Sequence, residues 1–165
     1  MSNTLIVGNW KMNLNVHQAS LYVHELSNKI EHHSDVKVVL APSFIALQTL
    51  SLQVKKHHFG LAAQNCYWRD EGAFTGEVSA TQLRGVVDYV IVGHSERRHV
   101  FGETNKDVRS KVQAVLRNGL IPILCVGETA DERTNGETKH VLHDQVSGGL
   151  ANVASDEIDK VVIAY

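Results

Sequence analysis

The sequence predicts an α/β protein built on a parallel sheet, and three observations carry that prediction. Strand-sized apolar runs recur along the chain and are continuous rather than alternating, which suits strands covered on both faces. The intervals between them repeat apolar residues at helical spacing. Capping signals stand where those helices would begin and end.

The runs are Leu5-Ile6-Val7, Val36 to Ala41, Phe59 to Ala63, Tyr89 to Val92, Leu120 to Val126 and Val161 to Tyr165. Between the first two, Tyr22, Leu26 and Ile30 recur every four residues; Ala46, Leu50 and Val54 do so in the next interval, and Val108 and Val112 further on. Ser79 and Gln82 have the spacing of a capping box, in which each side chain satisfies the other residue's amide. Gly119 follows Val112 to Asn118 where a helix-terminating glycine belongs. The predicted order is a βα unit repeated five times and then a sixth strand, with no low-complexity linker, so residues 1–165 read as a single domain.

Composition agrees with a folded chain: 43% of the 165 residues are hydrophobic and 21% charged, unlike the charge-rich profile of disorder. The net charge of −2 is scattered over both signs, which argues against nucleic acid or an anionic membrane as partner and leaves small-molecule chemistry. Leu5-Ile6-Val7 is too short for a signal-peptide core and no segment approaches a membrane span, so a cytoplasmic location is expected. Cys66 and Cys125 are too few for a disulfide framework, and each lies in an apolar run as a small buried thiol would. The pairs His32-His33 and His57-His58 have no partner at metal-ligand spacing and read as solvated surface, so neither a metal nor another cofactor is expected.

Pattern alone leaves two architectures open. A doubly wound open sheet fits the length, whereas a (β/α)8 barrel needs ~250 residues, or roughly 31 per unit. On length the open sheet is favoured, and the polar motifs decide otherwise. The first strand runs into Gly8-Asn9-Trp10-Lys11-Met12-Asn13, which puts an amide and an amine at the carboxyl end of a parallel strand, where α/β folds build their sites. Lys11 could hold an anion there, although an isolated lysine in a loop reads first as a surface residue. The fourth strand runs into Gly93-His94-Ser95-Glu96-Arg97-Arg98. A helix starting at that turn would disfavour imidazolium through its unpaired amides and dipole, leaving His94 uncharged and able to donate an N–H. By itself His94 reads first as a structural histidine.

Taken together, these two motifs resemble the triosephosphate isomerase family. Ala62-Ala-Gln-Asn65, Gly72 to Ala80, Phe101-Gly-Glu103 and Pro122 to Glu128 join them in the family's order, so the resemblance spans essentially the whole chain. It implies a (β/α)8 barrel of which this chain supplies strands 1–6 and the first five βα units. It further implies an isomerase that interconverts dihydroxyacetone phosphate and glyceraldehyde 3-phosphate without a cofactor. Lys11 would balance the substrate's negative charge, while Asn9 and His94 would stabilise the oxygen that becomes the enediolate, each such donor being worth ~3 kcal/mol. A neutral histidine is a known feature of this family, so that expectation is not independent of the resemblance. Glu96 would assist proton movement or simply favour the start of its helix. Ser95 would cap or hydrogen-bond near the histidine. Cys125 and Glu128 would support the site from the end of strand five.

The resemblance also implies a homodimer. The loop from Tyr67 to Val78 would enter a neighbouring subunit through Thr75, with Asn65, Glu77 and Arg97 anchoring the contact. In the family a general-base glutamate directly follows the tyrosine matching Tyr165, and a lid and phosphate loops come later. The expectation is therefore that residues 1–165 alone are inactive and expose two strand edges. A second chain carrying the remaining third is one way to complete the barrel, and a non-catalytic anion-binding or association fragment is the alternative.

Overall fold

A computed structural model of the chain describes residues 4–30, 35–54 and 59–165. The strands are β1 (Thr4–Asn9), β2 (Val36–Ala41), β3 (Phe59–Ala63), β4 (Tyr89–Val92), β5 (Ile121–Cys125) and β6 (Val162–Ala164), and their order in the sheet follows the chain. Neighbouring strands run parallel in register: Thr4 to Asn9 against Val36 to Ala41, Val38 to Leu40 against Phe59 to Leu61, and Ile123 to Cys125 against Val162 to Ala164. Parallel neighbours in chain order joined by helical crossovers are the pattern of a (β/α)8 barrel's first six strands.

The helices are α1 (Val16–Lys29), α2 (Phe44–Gln53), α3 (Ala80–Leu83), α4 (Ser95–His99), α5 (Asn105–Arg117), α6 (Ala130–Thr134) and α7 (Thr138–Leu150), and a 3-10 turn spans Ile158–Lys160. Backbone proximity divides the chain into two units, Met1–Gln64 with Leu83–Tyr89, and Asn65–Gln82 with Val90–Tyr165.

In the first unit β2 and β3 bury Val39, Leu40, Ala41, Phe59, Leu61, Ala62 and Ala63, and α2 turns Ala46, Leu47 and Leu50 inward. The i, i+4 face of α2 follows the sequence reading, but that of α1 does not. Its buried residues are Ala19 and Val23, whereas Tyr22 is 45% and Ile30 37% exposed, Ile30 being the residue that ends the helix. The four-residue spacing of 22, 26 and 30 is real but marks a stripe beside the core-facing one. The Tyr22 ring, outside the buried face, meets Trp10 edge-on, with 5.3 Å between ring centroids. β1 also departs from the continuous burial expected of it: exposed and half-buried residues alternate, and Ile6 is 52% exposed. β6 does the same at Ile163, since an end strand has a neighbour on one side only.

In the second unit α5 is the central helix. Val108, Val112, Ala114 and Val115 are fully buried. Thr104 and Asp107 close its first turn as a reciprocal capping box. Its end is a Schellman motif: Gly119, with φ of 72°, donates to the Leu116 carbonyl at 2.9 Å, and Leu120 to that of Val115 at 3.0 Å. The predicted capping box is also present before α3, where the Ser79 N–H reaches Gln82 Oε1 at 2.9 Å and the Gln82 N–H reaches Ser79 Oγ at 3.2 Å. His32-His33 and His57-His58 lie outside the described residues. Among those described, no helix is long and apolar enough to cross a membrane.

Candidate active site

The turn after β1 holds Lys11 in a conformation that a lysine rarely adopts. Its φ is 53°, in the left-handed region, where a residue with a Cβ costs roughly 1–3 kcal/mol unless its surroundings over-determine it. Neutral amides provide that determination. Asn9 Oδ1 accepts from the Lys11 N–H at 3.0 Å, and Gln64 Nε2 donates to the Lys11 carbonyl at 2.9 Å and to that of Ala41 at 2.8 Å. Asn13 Nδ2 donates to the Trp10 carbonyl at 2.8 Å, and the Trp10 N–H carries the β1–β2 ladder one step further. The Lys11 side chain is exposed. With Oδ1 accepting from the Lys11 N–H, the Asn9 amide hydrogens are the donors it can offer a ligand. Gln64 lies inside a motif read from the sequence, yet nothing local marks it as the residue that fixes Lys11, 53 positions away.

The turn after β4 is built around Gly93, whose φ is 67°. A Cβ there would stand 2.7 Å from Arg98 Nη2 and 3.0 Å from Val108 Cγ2, so only glycine fits. The next residue, His94, caps α4 with its ring: Nδ1 accepts from the Glu96 N–H at 3.3 Å. The cap expected of Ser95 is thus made by His94, and Ser95 is the first residue of the helix. Glu96 Oε2 also faces Nδ1, at 3.5 Å. The amide is the controlling partner, since an unpaired N–H at a helix start needs an acceptor whereas the half-exposed carboxylate has water. An uncharged ring accepting at Nδ1 carries its proton at Nε2.

Arg98 lies behind this turn. Its Nε donates to the Gly93 carbonyl at 2.7 Å, Nη1 to Asn105 Oδ1 at 2.7 Å, and Nη2 to the Cys125 carbonyl at 3.2 Å. This residue stands in the sequence motif around His94 but drew no role from it.

Two residues expected at a subunit contact, Arg97 and Asn65, belong to one network of bonds. Glu103 Oε1 accepts from Arg97 Nε at 2.9 Å and pairs with Lys111 Nζ, which also donates to Asn65 Oδ1 at 2.8 Å. Lys111 and Glu103 are 3% and 6% exposed, so this is a buried charge cluster that composition could not reveal. Arg97 further stacks its guanidinium 4.7 Å from the Phe101 ring centre. Thr75 and Glu77 are exposed on the loop from Tyr67 to Val78, whose base is tied by the Tyr67 N–H to the Val78 carbonyl at 2.8 Å. Arg117 bonds Asp70 Oδ1 at 3.0 Å and the Trp68 carbonyl at 2.7 Å, and Asn118 and Thr81 join the same carboxylate. Those donors, Arg117 first, pull the Asp70 carboxyl down to about 2.

After β5, Glu128 Oε1 accepts from Arg133 Nε at 2.7 Å, from Thr138 Oγ1 at 3.2 Å and from the Tyr165 hydroxyl at 3.2 Å. Its own backbone N–H and then Arg133 hold the carboxyl below the usual range. Gln145 clamps the preceding turn by bonding both the N–H and the carbonyl of Gly127. Both cysteines are free thiols; burial pushes Cys66 up to about 12 and Cys125 to about 11, so neither is a nucleophile near neutral pH. Cys125 is only partly buried, and its carbonyl accepts from Arg98. Among the described residues no group of three or more His, Cys, Asp or Glu is placed to hold a metal ion.

Asn9 and Lys11 belong to the first unit, and His94, Ser95, Glu96, Cys125 and Glu128 to the second, as do Asn65, Thr75, Glu77 and Arg97. Each unit thus presents a polar turn at the end of a parallel strand, one with a primary amine and the other with an imidazole.

A family model described as triosephosphate isomerase matches residues 4–165. The chain is 43% identical to the triosephosphate isomerase of Geotalea uraniireducens over 166 aligned positions, 44% to that of Pelobacter propionicus and 40% to that of Ligilactobacillus salivarius. These alignments cover 100% of the chain and 66% of each relative. With the strand order, the two polar turns and the match all in agreement, the chain belongs to the triosephosphate isomerase family.

Proposed function

We propose that this chain supplies the electrophilic half of a triose-phosphate isomerase site, serving the interconversion of dihydroxyacetone phosphate and glyceraldehyde 3-phosphate through an enediolate, with no cofactor. The observation that carries the reading is the ring of His94, engaged at Nδ1 by the Glu96 N–H and so left with an Nε2 proton to donate. When a base removes the proton from the carbon beside the substrate carbonyl, the electron pair moves onto the carbonyl oxygen. Donors aimed at that oxygen stabilise the product of this step more than its start, which is what lowers the barrier. His94 Nε2–H and the Asn9 amide are those donors, and the Lys11 ammonium balances the phosphate and the new oxyanion. A proton then passes from the hydroxyl on the deprotonated carbon to the oxyanion, with Glu96 assisting its movement, and return of the base's proton to the former carbonyl carbon completes the exchange. The base comes from outside residues 1–165.

The same reading makes the protein a cytoplasmic homodimer, its 67–78 loop reaching a second subunit through Thr75 with Asn65, Glu77 and Arg97 anchoring it. The alternative is a chain that binds an anion or associates without turnover. An isomerase assay separates them. His94→Ala in the active protein is expected to lower kcat by ~10²–10³, and Lys11→Ala to weaken substrate binding severely. Wild-type rates in either variant would reject the assignment. The 165-residue polypeptide assayed by itself is expected to be silent, and turnover there would remove the need for an outside base.

A further inference from the structure

We infer that Arg98 is the positioning residue that sets the direction of the His94 ring and its Nε2–H tautomer. This rests on the role proposed above for His94, but the geometry is independent of it. Arg98 uses all three of its nitrogens on groups that define the turn: the carbonyl closing β4 immediately before His94, the carbonyl ending β5, and Asn105 at the first position of α5. Its own backbone N–H donates to the His94 carbonyl at 3.1 Å, so main chain and side chain of one residue bracket the histidine.

The sequence around it is shaped for this contact. Gly93 lacks the Cβ that would stand 2.7 Å from the guanidinium, so the plane can lie against the backbone. Asn105 is held in turn, its Nδ2 donating to the Asp144 carbonyl at 3.4 Å, and Gly148 approaches so closely that a Cβ there would meet Asn105 Cβ at 3.0 Å. The fork therefore has a fixed acceptor on each prong. A guanidinium suits the task because its planar donors are locked in one geometry, which the single flexible ammonium of a lysine cannot reproduce. The His94 cap on the Glu96 N–H is long, at 3.3 Å, and α4 has only five residues, so the helix alone gives the ring little constraint. Without Arg98, rotation of the turn would weaken the Nδ1 cap and let the neighbouring Glu96 carboxylate draw the proton to Nδ1.

The test reads the ring directly. In the active protein labelled with ¹⁵N-histidine, wild-type His94 should give imidazole nitrogen shifts of the Nε2–H form, and Arg98→Met should give averaged shifts of mixed tautomers. In the same variant kcat should fall by ~10²-fold, as for a misplaced catalytic group, with KM within a factor of two. Arg98→Lys should recover part of the turnover. Val108→Ala, which removes packing beside Gly93 and keeps the three bonds, should lower the melting temperature while leaving the His94 signals in place. Unshifted His94 nitrogens in Arg98→Met, or in Arg98→Lys should the methionine variant not fold, would overturn the inference. Shifted nitrogens with unchanged turnover would leave the positioning intact and reject the role given to His94.

Discussion

The turns after β1 and β4 present different chemical groups, and they are held in place by different kinds of force. Lys11 is kept in a left-handed conformation by neutral amides, Asn9 and Gln64, acting on its backbone. His94 stands in a turn backed by charge, with Arg98 forked onto three acceptors and the Arg97–Glu103–Lys111 cluster tying α4 to α5. The division has a physical logic. A cationic site residue gains nothing from further cations beside it, so neutral amides hold Lys11. Beside His94 the cation is spent on the carbonyls of Gly93 and Cys125, so its charge fixes the backbone that carries the ring.

The contrast can be broken most sharply at Glu103. Glu103→Gln leaves Lys111 buried beside a neutral partner and should destabilise the protein by about 3–5 kcal/mol, read from chemical denaturation. A loss under 1 kcal/mol would mean that the cluster is not the electrostatic support described for this region. Next in size is Gln64→Leu, which removes the donor shared by the Lys11 and Ala41 carbonyls and should cost about 1–3 kcal/mol for the two bonds. Its signature is local: KM should rise while kcat changes little, because Lys11 loses position and His94 does not. A fall in kcat with constant KM would show that the two turns are not held independently.

The smallest effect concerns acid. The Asp70 carboxyl is depressed from 3.8 to about 2, so its contribution is complete above its unfolded value and is lost as pH falls from about 4 through about 2. Asp70 is half exposed and its pair with Arg117 is screened, so the effect should stay below about 1 kcal/mol. Asp70→Asn should flatten the stability profile across that window only. Equal acid sensitivity with and without Asp70 would assign the loss to other carboxylates, such as the Asp107 cap.

These differences also mark what the sequence could reveal. β2, β3 and β4 begin and end where their apolar runs do, because each run is flanked by polar or turn residues that cannot enter a buried strand. The α1 face was misplaced because Ala19 contributes little to a hydropathy pattern while Tyr22 contributes much, and only packing distinguishes them. α3, α4 and α6 span five residues or fewer, too short for any period to register. Motifs brought out Lys11 and His94 as candidates, yet their supports were invisible. Gln64 reaches Lys11 across 53 positions, and Arg98 reaches Cys125 across 27, and such bonds exist only after the strands have assembled.

The proposed function requires Lys11 and His94 to serve a single small anion. A two-carbon phosphorylated carboxylate, whose planar charged end copies an enediolate, can be titrated into ¹⁵N-labelled protein while the Lys11 ammonium and His94 imidazole signals are followed together. Both should move along one binding curve with one dissociation constant. Movement of one signal without the other, or two separate curves, would contradict the account.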